Sequence, residues 1–187
     1  MFFTYYLEEF LVLLGVGAAV ALPIKLLKKR PWWWGVFLAF FIAYCLIAFF
    51  EIVRPFESFG APGATNRLAF NLIPFVEGFD RDAIENIVCA LPFGFLLPLV
   101  FDRFRFKNAL LAGAGFGLLM ELSQLALYFI HGRFSLRVID VTDVICNFLG
   151  TVLGWCLFAV VTLLVYWLHG RGVDCSLFRY IKERDIK

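Results

Sequence analysis

Acid–base and recognition chemistry is concentrated in three stretches of this sequence. Arg133–Gly154 opens with two arginines, Arg133 and Arg137, and two carboxylates, Asp140 and Asp143. It continues with Asn147, Gly150 and Gly154, which stand at i+4, i+7 and i+11 from Asp143 and so share one helix face. Glu121 and Gln124 form the second group, and Glu85 with Asn86 the third. Paired carboxylates suit general acid–base work, a cation, or the amine and amide groups of a ligand. Arginine forks suit phosphate or carboxylate. Glu121 and Asp143 are the candidate acid–base pair. For Glu85 and Asp143, a carboxylate capping a helix N-terminus is an equally good account. That account does not extend to Glu121, which stands in mid-helix.

These groups are embedded in a very apolar chain. Of its 187 residues 62% are hydrophobic and 17% charged, and the mean hydropathy is +0.85. A soluble domain is roughly half apolar and about a quarter charged. The excess lies in long runs, so the expected fold is an all-α, polytopic membrane helix bundle forming one domain over residues 1–187. A span needs about 20 apolar residues, or about 17 at the short end. Five segments approach that: 8–27, 32–53, 86–101, 108–130 and 144–168. The third is short and holds Pro92, Gly94 and Pro98, which neighbours can accommodate in a membrane helix. Residues 10–22 end in Ala19-Val20-Ala21, like a signal-peptide cleavage site, but Glu8 and Glu9 precede them and no basic residue does. This run is expected to be a retained first span.

Charge sets the expected orientation. With the N-terminus outside, twelve of the 17 basic side chains fall on the cytoplasmic side: Lys25, Lys28, Lys29, Arg30, Arg103, Arg105, Lys107, Arg171, Arg179, Lys182, Arg184 and Lys187. The C-terminal tail, 169–187, is then cytoplasmic. Trp32, Trp33 and Trp34 read as an interfacial anchor. The one long loop, 54–85, carries turn residues among many aromatic and aliphatic ones. It is expected to fold back on the outer interface, either covering the mouth of the bundle or serving only as an anchor.

Spans 4 and 5 are joined by a short loop and should be antiparallel neighbours. Gly113-x-x-x-Gly117 on one and Gly150-x-x-x-Gly154 on the other would let the two backbones approach. Glu121 stands nine residues from the outer end of span 4, about 14 Å down at ~1.5 Å per residue, which predicts a level near Asn147 to Gly150. A lone intramembrane carboxylate is expensive. Glu121 is therefore expected either protonated and hydrogen-bonded to Gln124 or Asn147, or ionised and paired with Arg67, Arg133 or Arg137.

Other chemistry finds no support in the residues. No P-loop, dinucleotide fingerprint or nucleophile elbow occurs, so no cofactor is expected. His131 and Asp140-x-x-Asp143 do not make a metal-ligand spacing. The basic residues are topology determinants, not a nucleic-acid surface. Cys45, Cys89, Cys146 and Cys156 sit in apolar segments and Cys175 is alone in the tail, which is no disulfide framework.

Taken in order, five blocks form a recognisable set. They are Asn71-Leu72-Ile73-Pro74-Phe75, Glu85-Asn86, Pro92-Phe93-Gly94-Phe95-Leu96, Glu121-Leu122-Ser123-Gln124, and Arg137-x-x-Asp140-x-x-Asp143-x-x-x-Asn147-x-x-Gly150-x-x-x-Gly154. Over roughly 66–165 the chain resembles the VanZ-like family of bacterial membrane proteins. It departs from that family in having Thr142-Asp143 where paired aspartates are common, and Asn86-Ile87-Val88-Cys89-Ala90 where Asn-Ile-Leu-Leu-Phe is usual. The resemblance implies a multi-pass protein of the bacterial cell membrane, in a family whose founding member is associated with low-level teicoplanin resistance.

The expected binding set is Asn71, Pro74, Glu85, Asn86, Glu121, Gln124, Arg133, Arg137, Asp140, Asp143 and Asn147. Three functions compete for it. One is an outward pocket for a membrane amphiphile: a lipid-linked cell-wall precursor, a lipid head group or a lipoglycopeptide. The second is an intramembrane enzyme acting on lipid through Glu121 and Asp143. The third is a structural partner for another membrane protein, with the polar set serving packing.

Overall fold

The structure, a computed structural model, describes residues 2–53, 69–76, 78–130 and 138–184. These form α1 Phe2–Leu27, α2 Trp32–Val53, β1 Ala69–Asn71, α3 Arg81–Val100, α4 Phe106–Ile130, β2 Val138–Asp140, α5 Val141–Gly170 and α6 Ser176–Glu183. Helices α1 to α5 are long and apolar enough to cross a membrane, so the chain is a multi-pass helical membrane protein. Among the described residues, the two short strands are the one departure from an all-helical expectation.

α3 begins five residues before the apolar run that announced it. Asp80 is its N-cap, the side chain accepting a hydrogen bond from the Ala83 amide at 2.9 Å. Arg81, Asp82, Glu85 and Asn86 are thereby inside the helix. Pro92 and Pro98 lie within it as well. A mid-helix proline leaves the carbonyl four residues back without a donor. One residue beyond the carbonyl that Pro92 affects, the Cys89 carbonyl is taken by the Tyr44 hydroxyl of α2 at 2.7 Å.

α5 is the axis of the bundle, and its small residues decide how near its neighbours come. Gly150 and Gly154 do not face Gly113 and Gly117, as the shared spacing suggested. They pack on α3, where an added Cβ would overlap the carbonyls of Ile87 and Leu91, while Gly94 of α3 packs in return on Thr151. α3 and α5 run parallel along this seam. Gly113 and Gly117 of α4 meet the adjacent face of α5, against Phe148 and Val144. Here the helices are antiparallel. α1 packs along α2, Gly17 lying against the Ala39 carbonyl.

Beyond α5 the chain turns back as α6. Leu177, Phe178, Tyr180 and Ile181 recur on one face of α6, and that face docks back on the bundle. Tyr180 and Ile181 join Trp34, Leu99, Phe158 and Val165 in a buried cluster. The Tyr180 hydroxyl donates to the Leu99 carbonyl, and Trp34 donates to Val100 O at 2.8 Å. Of the three tryptophans read as an anchor, Trp34 is therefore core, and Trp32 is the exposed one. Burial pushes the Tyr180 phenol up to about 12.

Asp102, in the α3–α4 turn, ties this end together, pairing with Arg30 at 2.6 Å and with Arg184 beyond α6. The Arg30 hydrogen bond, helped by Arg184, holds its carboxyl below the usual range. A lowered folded value means that the contribution is complete above the ordinary carboxylate value and is lost as pH falls through the folded one. Asp102→Asn is expected to raise hydrogen exchange over 176–183 several-fold at pH 7. The difference from wild type should shrink as pH falls below the ordinary carboxylate value and vanish only once it is below the lowered folded one. Equal exchange in the two proteins at pH 7 would show that the apolar face alone docks α6.

Candidate functional site

The N-terminal ends of α3 and α5 and the C-terminal part of α4 meet at the end of the bundle opposite α6. Two strands approach this point from far apart in sequence. β1 pairs in parallel with β2 in the register Ala69↔Val138, Phe70↔Ile139, Asn71↔Asp140. The last pair is also joined through side chains, Asn71 Nδ2 donating to Asp140 Oδ2 at 2.8 Å. The second oxygen of Asp140 caps α5, accepting from the Thr142 amide at 2.7 Å. The Asp140 amide donates to Glu121 Oε2 at 3.1 Å. Glu121 and Gln124, the latter 3.4 Å from Glu121 Oε1, are only 4% and 6% exposed. A buried carboxylate is thus placed at the start of a long helix, where the dipole favours negative charge.

Glu121 consequently lies level with Asp140, not with Asn147 to Gly150. The depth estimate counted from the end of α4, and α4 runs on past the first residue of α5. Capping also reaches Glu121 after all, but across helices, through the amide of the N-cap residue of α5.

A second network joins α3 to α5. Asn86 Nδ2 donates to Asp143 Oδ1 at 2.6 Å. Asn147 Nδ2 donates to the Asp143 carbonyl at 2.9 Å and stands 3.4 Å from Asn86 Oδ1. Thr151 Oγ1 donates to the Asn147 carbonyl at 2.9 Å, one turn deeper. Asn147 is 2% exposed, so this polar ladder runs into the closest-packed part of the bundle.

Other expected members fall elsewhere. Glu85 is exposed and pairs with Arg81 on its own helix at 2.6 Å, away from Asp143. Pro74 is exposed in the turn after β1. Arg67, Arg133 and Arg137 lie outside the described residues. Thr142, seen in the sequence only as a departure from paired aspartates, holds that turn in place. It is buried, and its Oγ1 accepts from the Phe75 amide at 3.0 Å. Phe75 has a φ of 57°, a left-handed conformation uncommon for a bulky residue. Phe70, Leu72, Ile73, Val76 and Phe79 around it are all exposed; the first half of the long loop, 54–68, lies outside the described residues.

A groove of about 400 Å³ between α1, α2, α3 and α5 shares no residue with this cluster. Its walls are apolar and aromatic, among them Phe40, Tyr44, Pro92, Leu96 and Leu157. The polar site is therefore a seam of paired side chains at the helix ends, separate from the cavity.

Five membrane-competent helices, with paired carboxylates and amides where three of them meet, define a polytopic membrane protein with its polar chemistry at one end. The chain belongs to the VanZ/LLP1 family, whose pattern matches residues 35–163 and so takes in α2 as well as the motif-bearing stretch. It is 36% identical over 87 residues to Protein VanZ of Enterococcus faecium, an alignment covering 46% of this chain and 50% of that one. The chain thus spans about half the length of this curated relative. No solved structure matches it significantly.

Proposed function

We propose that the protein is a VanZ-type envelope component whose N-terminus faces outward. In this reading the polar seam at the outer ends of α3, α4 and α5 binds the head of a membrane amphiphile. The occupant is a lipid-linked cell-wall precursor, a lipid head group or a lipoglycopeptide, and binding contributes to teicoplanin resistance. The observation that carries this is the convergence of Glu121, Asp140 and Asp143 with three amides, Asn71, Asn86 and Asn147, around the start of α5. Amide and carboxylate edges match the hydroxyl, amide and amine groups of such heads.

A second reading has an observation of its own. Asn71, Asn86, Asp140 and Thr142 all bond across elements, which is what a purely structural clasp requires. Isosteric variants separate the two. Asp143→Asn and Glu121→Gln keep an acceptor for Asn86 and for the Asp140 amide while removing charge. Melting should move by no more than about 1 kcal/mol, since a carbonyl acceptor remains. Binding of radiolabelled lipid-linked precursor or teicoplanin should fall at least tenfold, and resistance in an expressing host should fall with it. Unchanged binding in both variants, with normal melting, would leave the structural reading.

A further inference from the structure

At the opposite end of the bundle, cations outnumber carboxylates. Residues 25–30, 101–107 and 171–184 carry eleven basic side chains and three acidic ones. The acidic ones are unevenly used. Asp102 neutralises Arg30 and Arg184, and Asp174 neutralises Arg179 at 2.9 Å. Arg171 and Lys182, among the described residues, contact no carboxylate. Each is parked over an aromatic ring instead. Arg171 lies 3.8 Å from the ring centre of Trp167, and Lys182 lies 5.5 Å from that of Tyr166. Those rings are neighbours in sequence on α5, 39% and 52% exposed for Tyr166 and Trp167. A ring face orients a cation without consuming its hydrogen-bond donors.

The depth of this corner is set by length. α5 has 30 residues, about 45 Å at ~1.5 Å per residue, against a hydrocarbon core of about 30 Å. With its polar first turn at one interface, its last turns reach the other headgroup layer. Tyr and Trp favour that layer. α6 brings Lys182 there from the other side, because Tyr180 and Ile181 anchor it to the bundle.

We propose that the corner between α5 and α6 binds an anionic phospholipid. Arg171 and Lys182 hold the headgroup phosphate, and Tyr166 and Trp167 lie along the glycerol and upper acyl chains. The charge complementarity is local, resting on two cations that no carboxylate of the described chain neutralises. It is independent of the reading given to the polar seam.

The test uses the full chain in zwitterionic detergent. Retention of dioleoylphosphatidylglycerol and of dioleoylphosphatidylcholine is measured by native mass spectrometry over a lipid titration. Wild type should prefer the phosphatidylglycerol. Arg171→Gln/Lys182→Gln should bind it roughly 25-fold more weakly, about fivefold per cation, each near 1 kcal/mol. Lys28→Gln/Lys29→Gln removes the same charge from the same end and should change affinity by less than about twofold. If the double variant does not fold, each single variant, expected about fivefold weaker, takes its place. Equal losses in the site and control variants would overturn the proposal in favour of a diffuse basic rim. So would equal binding of the two lipids by wild type. Glycerol phosphate binding as tightly as the lipid would overturn it in favour of a soluble anion.

Discussion

Gly94→Ala is expected to lower the melting point of the purified protein by roughly 6–12 °C. A methyl at Gly94 would overlap the Thr151 carbonyl, an atom of the α5 backbone. No rotamer change can relieve a clash with backbone. Thr151 itself is fully buried and tied to the Asn147 carbonyl, so α5 cannot yield locally either. The helices must separate along a seam that Gly150 and Gly154 also keep tight. Overpacking of this kind costs about 3 kcal/mol, at about 2–4 °C per kcal/mol for a chain of this size. Gly115→Ala is the matched control, with nothing within 4 Å of the added carbon. It should be neutral or slightly stabilising, since alanine is the better helix former. Equal melting of the two variants would mean that α3 and α5 are not in backbone contact.

The second large effect is expected at Asp140. Asp140→Ala removes the acceptor of both the Asn71 amide and the Thr142 N–H, and with it the cap of α5. Bonds to a charged acceptor contribute about 1.5–3 kcal/mol each, and an N-cap about 1 kcal/mol. Water reaches part of this site, so the net loss should be about 2–4 kcal/mol. Hydrogen exchange over 69–71 should rise by at least tenfold as β1 leaves β2. Asp140→Asn keeps the capping oxygen, and Asn71 can turn its amide to meet the new one, so most of the loss should be recovered. Wild-type exchange at 69–71 in Asp140→Ala would show that backbone pairing alone holds the strands.

Length and hydropathy made the five spans legible, because the distance across a bilayer sets a threshold that apolar runs either reach or miss. The start of α3 was not legible that way. Residues 81–86 carry four polar side chains, Arg81, Asp82, Glu85 and Asn86, and their helix depends on Asp80, which hydropathy does not see. Helix partners were less legible still. A Gly-x-x-x-Gly pair announces a close approach without saying to what, and α5 presents Gly150 and Gly154 to α3 while its neighbouring face receives α4. At the polar end the residue types were legible and the pairings only in part. Asn86 and Asp143 come together, but Glu121 meets Asp140 and Glu85 turns to Arg81. The β1–β2 pairing joins segments separated by the whole α3–α4 hairpin, and nothing local in Ala69–Asn71 foretells it. α6 did carry a signal, four apolar residues on one face among basic ones, which the reading of 169–187 as a cytoplasmic tail passed over.

The bond between Glu121 and the Asp140 amide has a consequence for biosynthesis. The two residues are 19 apart, and Glu121 is made first. At about 5–20 residues per second, its carboxyl waits roughly 1–4 s for the amide that will receive it. During that interval α4 must be handled by the insertion machinery with the carboxyl inside the helix, nine residues from its end, and no Asp140 in existence. The strand clasp closes later, once the start of α5 has emerged, and only then is the polar end of the bundle complete.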